Sequence, residues 1–229
     1  MSQAHNAPPL NPLPPVVWLL ALPVIAMELV VNLGGRGLVG GPGAVGWRVQ
    51  AMERFAFSPD LMRYMLENAV YPPDGLLRLI SYPLVHGSFS HALFVVVMLL
   101  ALGKMVGEVF RWWGVVLVVL GAAAVGALVY TFAVPSVRAP LIGGYPAVYG
   151  LIGAFTYLLW VNLAAVGANK YRAFTMIGFL LGVQLLFGLI FGGGMEWVAD
   201  LAGFATGFAL SFLLAPGGFA RVRAMLRQR

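Results

Sequence analysis

Six long apolar stretches, separated by polar or glycine-rich connections, dominate the pattern of this 229-residue chain. Each is close to the roughly 20 residues that a helix needs to cross a bilayer. Backbone in lipid must satisfy its own hydrogen bonds, which favours helices. The pattern therefore predicts an all-α, polytopic membrane protein with six transmembrane helices. The predicted spans are 16–33, 91–109, 112–134, 143–163, 173–191 and 197–214.

The connection between the first two stretches, residues 34–88, is too polar to cross a bilayer, yet parts of it are amphipathic. Residues 59–68 carry apolar side chains at helical spacing. We expect a long first loop with short helices that lie in or on the membrane surface. The chain then divides into a disordered, proline-rich N-terminus (1–15), a six-helix membrane domain (16–214) and a basic C-terminal tail (215–229).

The composition excludes a soluble nucleic-acid-binding protein despite the net charge of +6. Hydrophobic residues make up 61% of the chain and charged residues only 10%, far from soluble averages. The basic residues do not form a stripe. Eight of them fall in two short connections and the tail, on one side of a six-span bundle: Lys104, Arg111, Lys170, Arg172, Arg221, Arg223, Arg227 and Arg229. This asymmetry predicts that both termini are cytoplasmic.

Small residues in the apolar stretches indicate close helix packing. Gly150 and Gly153 lie in the fourth stretch, and Gly203 and Gly207 form a G-x-x-x-G in the sixth. Lipid supplies no hydrophobic drive between helices, so close approach over small residues has to stabilise the bundle. These four glycines are therefore predicted to be helix-packing positions.

Motifs at the starts of three stretches, taken in order and at their spacing, resemble the rhomboid family of intramembrane serine proteases. The second stretch opens with HGSFSH (His86 to His91), the fourth with GGYPAVYG (from Gly143), and the sixth with WVADLAGFATG (from Trp197). The long first loop also holds the pair Trp47-Arg48, a feature that rhomboids share. The resemblance covers roughly residues 16–214 and implies a six-helix rhomboid scaffold.

The resemblance also locates the positions that carry catalysis in active rhomboids, and three of the four are replaced here. The serine nucleophile of G-x-S-G falls on Tyr145, which Pro146 follows where the family has glycine. The histidine base falls on Asp200 and the asparagine of H-x-x-x-N on Val95, whereas His91 is kept. The resemblance thus implies a catalytically inactive member with no catalytic residues.

The replacements do not supply equivalent chemistry. A tyrosine, with an ordinary pKa near 10, is an implausible acyl-transfer nucleophile, and Pro146 has no N–H to offer an oxyanion. One rescue dyad remains open, Ser88 or Ser90 with His86 or His91, although such residues at a helix start more often cap it. The sequence has no cysteine and no H-E-x-x-H, so neither a metal site nor a cofactor is predicted.

Asp200 has two readings, since an ionisable residue inside a membrane is expected to have a partner or a function. It accepts a hydrogen bond from the Tyr145 hydroxyl and bridges two spans, or it faces a cavity and engages a client or a cation. Tyr145, Asp200 and His91 are the candidate client or cavity residues. We read His91 as a hydrogen-bonding residue near the outer surface. Glu28 lies in the first span with no partner that the sequence names.

The leading functional hypothesis is a pseudoprotease that binds the transmembrane segments of client proteins in trafficking or quality control. Its expected partners are membrane lipids and single-span membrane proteins, with no nucleic acid, in an inner or plasma membrane of bacterial type. The enzyme alternative is an active intramembrane serine endopeptidase. A third reading, a small transporter or channel, would need a polar path, for which the spans offer Glu28, Asp200, Tyr145, Asn162 and Gln184.

Overall fold

The computed structural model describes residues 12–134, 139–191 and 194–217. Most of the predicted N-terminal segment and of the basic tail therefore lies outside the described residues. The described part of the chain is helical, with one isolated β-bridge between Phe57 and Leu141. Its α-helices are α1 (Pro15–Gly35), α2 (Trp47–Phe55), α3 (Pro59–Glu67), α4 (Pro73–Ser81), α5 (Phe89–Gly107), α6 (Trp112–Ala133), α7 (Tyr145–Ala165), α8 (Thr175–Phe191) and α9 (Trp197–Leu214).

Five of the described helices, α1, α5, α6, α7 and α9, are long and apolar enough to cross a membrane. The fifth predicted stretch corresponds to α8, which has 17 residues. At 1.5 Å per residue α8 is about 25 Å long, a few ångströms less than a typical hydrocarbon core of about 30 Å. The polytopic helical bundle is confirmed, whereas the count of six spans stays a prediction.

Helix α7 lies at the centre of the bundle and packs against α5, α6 and α9. Its contact with α9 is made over glycines. A Cβ added at Gly203 would overlap the carbonyl oxygen of Pro146, and one at Gly207 would overlap that of Gly150. Because backbone meets backbone here, no side chain can move aside to make room. This glycine seam holds the first two turns of α7 against the second and third turns of α9.

The second and third turns of α7 carry Gly150 and Gly153, the other two glycines of the packing pattern. A Cβ added at Gly153 would overlap the Phe204 carbonyl oxygen of α9, and one at Gly150 would overlap the side chain of Ala122 in α6. The four glycines singled out in the sequence thus lie at close helix–helix contacts, where van der Waals packing is the main source of stability in lipid.

The long first loop is an ordered structure of three short helices, α2 to α4, and includes the predicted amphipathic helix as α3. Ser58 caps α3 by accepting a hydrogen bond from the Leu61 N–H. Three arginines of the loop donate to backbone carbonyls elsewhere: Arg48 to His86, Arg63 to Thr131 and Val134, and Arg78 to Glu53 and Ala56. The charge-assisted bonds of Arg63 fasten the loop to the end of α6. The Arg48 bond holds α2 to the residues before α5, and the Arg78 bonds join α4 to the end of α2 within the loop.

Candidate functional site

A cavity of about 320 Å³ lies between α5, α7, α8 and α9. Its wall is mostly apolar, and four polar side chains converge on it near the N-terminal ends of α7 and α9: Tyr145, Tyr149, Gln184 and Asp200. The apolar lining comes from α5 (Phe94, Met98), α7 (Val148, Ile152) and α8 (Leu180, Val183). An apolar cavity with a few convergent polar groups is the usual form of a binding site.

Asp200 is the acidic group of this cavity. It lies in the first turn of α9 and is only 2% exposed. Its Oδ2 accepts a hydrogen bond of 2.8 Å from the Nε2 of Gln184 on α8. The Oε1 of Gln184 in turn accepts a hydrogen bond of 3.1 Å from the Tyr149 hydroxyl on α7. Gln184 therefore connects three helices, and sequence reasoning treated it only as one polar residue of a transport path.

The predicted hydrogen bond between Tyr145 and Asp200 is wrong. Both side chains line the cavity, but among the described residues the bond to the carboxyl group comes from Gln184. The ring of Tyr145 instead stacks on that of His91, with centroids 4.7 Å apart and planes inclined by 25°. Tyr145 is held by its aromatic face, which leaves its hydroxyl unbonded among the described residues.

His91 packs rather than hydrogen-bonds through its ring, contrary to the role predicted for it. Its imidazole lies between Tyr145 and His86, and the two imidazoles meet edge to face at 4.8 Å. The Nε2 of His91 is buried with no hydrogen-bond partner among the described residues. A Cβ added at Gly143 would overlap the His91 ring, and this glycine has a φ of +89°. The imidazole therefore seals the turn that leads into α7.

His86 holds the start of α7, a role that was not predicted, since the sequence named it only as a possible dyad partner of a serine. Its Nε2 accepts a hydrogen bond of 3.3 Å from the Gly144 N–H. The side chain is 3% exposed, and burial lowers the pKa of His86 to about 4, with the nearby His91 adding to the shift. A neutral imidazole suits the acceptor role. The signal for it was the HGSFSH motif itself, in which the first histidine precedes the helix.

The remaining replaced positions are filled by packing groups. Val95 is fully buried, and a Cβ added at Gly144 would come within 2.6 Å of its Cγ1. An apolar side chain therefore occupies the position at which the H-x-x-x-N motif of active rhomboids has the amide of asparagine. Pro146 is the second residue of α7, where a missing N–H leaves no helix hydrogen bond unmade. Both residues fit the fold locally and offer no donor to the cavity.

Ser88 and Ser90 do not form a dyad with either histidine in the described structure. Ser88 caps α5 by accepting a 3.2 Å hydrogen bond from the His91 backbone N–H. The two hydroxyl oxygens lie 3.2 Å apart. Capping, the commoner role of serine at a helix start, accounts for Ser88.

An ion pair outside the cavity joins α1 to the first loop and was not predicted. The Nη2 of Arg48 lies 2.6 Å from Oε1 of Glu28, and its Nη1 lies 3.1 Å from Oε2. The same Nη1 donates to the His86 carbonyl at 2.6 Å, and Asn32 also donates to Glu28. Arg48 is the arginine of the Trp-Arg pair. The sequence did offer a signal for this ion pair, because Glu28 is an acidic residue within the first span and Arg48 is a basic residue of the loop that follows it.

Glu28 and Asn32 line a second cavity, of about 270 Å³ between α1 and α5, and not the one that holds Asp200. Of the polar residues considered for a path through the bundle, Glu28 thus lines one cavity and Tyr145, Gln184 and Asp200 line the other, while Asn162 lines neither. Among the described residues, no three histidine or acidic side chains come together in a group that could hold a metal ion.

The fold and site define a multi-pass membrane protein built around a central helix, with a cavity at its side. A family model, the Rhomboid domain, matches residues 73–217, which is more than half of the chain. The protein belongs to the rhomboid family. No curated protein matches the chain.

Proposed function

We propose that this rhomboid-family protein is a pseudoprotease that binds transmembrane segments of client proteins, in trafficking or quality control. The observation that carries the proposal is the cavity between α5, α7, α8 and α9, whose polar wall contains Tyr145 and Asp200. In active rhomboids these two positions hold the nucleophile and the base, by the motif register. In this protein a cavity lies at these two positions, and neither of them carries the serine or the histidine that hydrolysis requires.

The groups near the replaced catalytic positions do not supply the chemistry of hydrolysis. A serine is a weak nucleophile until a base removes its proton, and Ser88 is used as a cap. Oxyanion stabilisation needs preorganised donors, but Val95 and Pro146 have none to offer. The neutral His86 already accepts from the Gly144 N–H. Among the described residues, no serine hydroxyl forms a hydrogen bond with an imidazole ring.

The lining of the cavity favours binding of a client helix. Phe94 on α5 is 63% exposed and Val183 on α8 is 38% exposed, so the cavity is edged by apolar side chains that face outward from the bundle. A client helix could approach from the lipid between α5 and α8 and pack against them. Association of helices in lipid relies on such packing together with interhelical hydrogen bonds.

We also propose the membrane arrangement. Both termini lie on the cytoplasmic side of an inner or plasma membrane of bacterial type. The basic connections after α5 and α7 support this orientation through the positive-inside rule. The apolar helices contact lipid directly, and the partners proposed beyond lipid are single-span membrane proteins.

Site-specific photocrosslinking in native membranes tests the proposal. A photoreactive residue at Met98, which lines the cavity, should trap single-span proteins. The same residue at Leu117, half-exposed on α6, is the matched control and should trap them much less. Filling the cavity with Val148→Trp should abolish the Met98 adducts. Equal capture from both positions, or no effect of the tryptophan, would refute client binding at this site.

The enzyme alternative, an intramembrane serine endopeptidase, makes a different prediction in the same experiment. A protease would leave Met98 adducts that contain client fragments, whereas a pseudoprotease leaves clients of full length. The masses of the adducts decide between them.

A further inference from the structure

Asp200 lacks a positively charged partner among the described residues. Its Oδ2 bonds to Gln184, and the described residues give its other oxygen no hydrogen bond. The ion pairs found in the described part of the chain are Arg48 with Glu28 and Arg63 with Asp60. A buried carboxyl group without a countercharge is costly in lipid and marks a functional position.

The surroundings of Asp200 favour a cation over any other occupant. The groups that face it from α7 and α8 are the hydroxyl-bearing Tyr145 and Tyr149 and the amide of Gln184. On its own helix, Glu196 lies one turn earlier and adds a second acidic group nearby. The cavity therefore combines apolar walls with an acidic end at Asp200.

Resting on the proposed function, we infer that the clients are transmembrane helices that carry a lysine or arginine about one turn inside the membrane. The client cation would pair with Asp200 while the apolar body of its helix packs on α5 and α8. The depth follows from the position of Asp200 as the fourth residue of α9, which is about 5 Å along the helix from its start.

Without a client, Gln184 occupies the hydrogen-bonding position at Asp200 that the client cation would take. Its amide gives Asp200 one hydrogen bond from an uncharged donor, and its other end is held by Tyr149. A lysine ammonium would add to such a bond the attraction between two opposite full charges, which is strong where water is scarce. A client lysine can therefore displace the amide, whereas a purely apolar client cannot.

The test measures capture of designed single-span helices by the full-length protein in proteoliposomes, through the photoreactive residue at Met98. Three helices of Leu and Ala differ only in one position: a lysine one turn inside the end that meets the α9 N-terminus, a leucine there, or a lysine at the opposite end. The first helix should be captured about fivefold more than the other two, as expected for one added interhelical bond.

Two variants assign the preference to the carboxyl group. Asp200→Asn should reduce the lysine preference to near unity, and Asp200→Glu should keep most of it. Gln184→Leu should increase the preference because the internal competitor is gone. Thermal unfolding of each variant shows whether it is folded, and Asp200→Glu keeps the test valid if Asp200→Asn does not fold.

The outcomes separate the two proposals. Equal capture of the lysine and leucine helices, unchanged by Asp200→Asn, overturns the cation preference and leaves client binding standing. Capture of none of the three helices overturns both. A lysine preference that persists in Asp200→Asn also refutes the inference, because the cation would then be recognised elsewhere.

Discussion

The Arg48–Glu28 ion pair should be one of the largest single contributions to the stability of the first loop. It joins α1 to α2 through two hydrogen bonds, and Arg48 also donates to the His86 carbonyl. Neutralising one partner, with Glu28→Gln or Arg48→Met, leaves the other charge in a poorly hydrated place. The loop should then loosen from the bundle at the point where His86 meets Gly144.

The magnitude follows from burial. Removing one partner of a fully buried pair costs about 3–5 kcal/mol. The side chains here are 23% exposed for Arg48 and 8% for Glu28, so part of the arginine charge stays hydrated. We expect about 2–3 kcal/mol for Arg48→Met and less for Glu28→Gln, which keeps the Arg48 bond to His86. The coupling between the two sites should be about 1–2 kcal/mol.

Equilibrium unfolding in mixed micelles, followed by tryptophan fluorescence, measures these free energies for the two single variants and the double variant. Arg54→Met, at an exposed position on the same helix, is the matched control and should change stability by less than about 0.5 kcal/mol. Strict additivity of the two substitutions, or a loss no larger than that of the control, would refute the argument that this pair fastens the loop.

Two further predictions concern the seam and the start of α7. Gly207→Ala should lower the free energy of unfolding by about 1–3 kcal/mol, because the added methyl group overlaps the Gly150 carbonyl oxygen. Gly178→Ala, where an added Cβ meets no atom within 4 Å, is the control and should not destabilise the protein. Equal losses for the two variants in the same unfolding measurement would contradict the role of the glycine seam. In the folded protein the pKa of His86 is lowered to about 4, whereas in the unfolded chain it has its ordinary value of about 6.5. Below about pH 6.5 the unfolded state therefore binds more protons at this residue than the folded state does. Stability should therefore fall by about 2 kcal/mol from pH 7 to about pH 5 through this group, and His86→Gln, which keeps an acceptor for Gly144, should remove that part of the pH dependence; an unchanged pH profile would refute it.

The helices were predictable because their apolar runs are long and their ends are marked by proline and glycine. The sixth predicted span matches α9 (Trp197–Leu214) in full, and the fourth differs from α7 (Tyr145–Ala165) by two residues at each end. The fifth is less secure, since the apolar run that becomes α8 yields only 17 helical residues. A hydropathy pattern shows where the chain is apolar. Whether an apolar stretch is long enough to span the membrane also depends on where its helix begins and ends.

The site was predictable only in part. Motif register brought Tyr145, Asp200 and His91 to one region, and the structure places Tyr145 and Asp200 on the same cavity. Which side chains bond was not predictable, because it depends on the rotation of α8, and no motif constrains that helix. Gln184 therefore took the place that had been predicted for Tyr145. The Arg48 partner of Glu28 depends in the same way on how a long loop folds back.

We propose above that this rhomboid scaffold carries a binding cavity in place of a serine protease site. Exposure of the purified, folded protein to a serine-reactive fluorophosphonate probe tests that claim most directly, with an active serine hydrolase labelled in parallel. We expect no labelling of the protein under conditions that label the hydrolase fully. Clear labelling that disappears when a single serine, such as Ser88, is changed to alanine would contradict it.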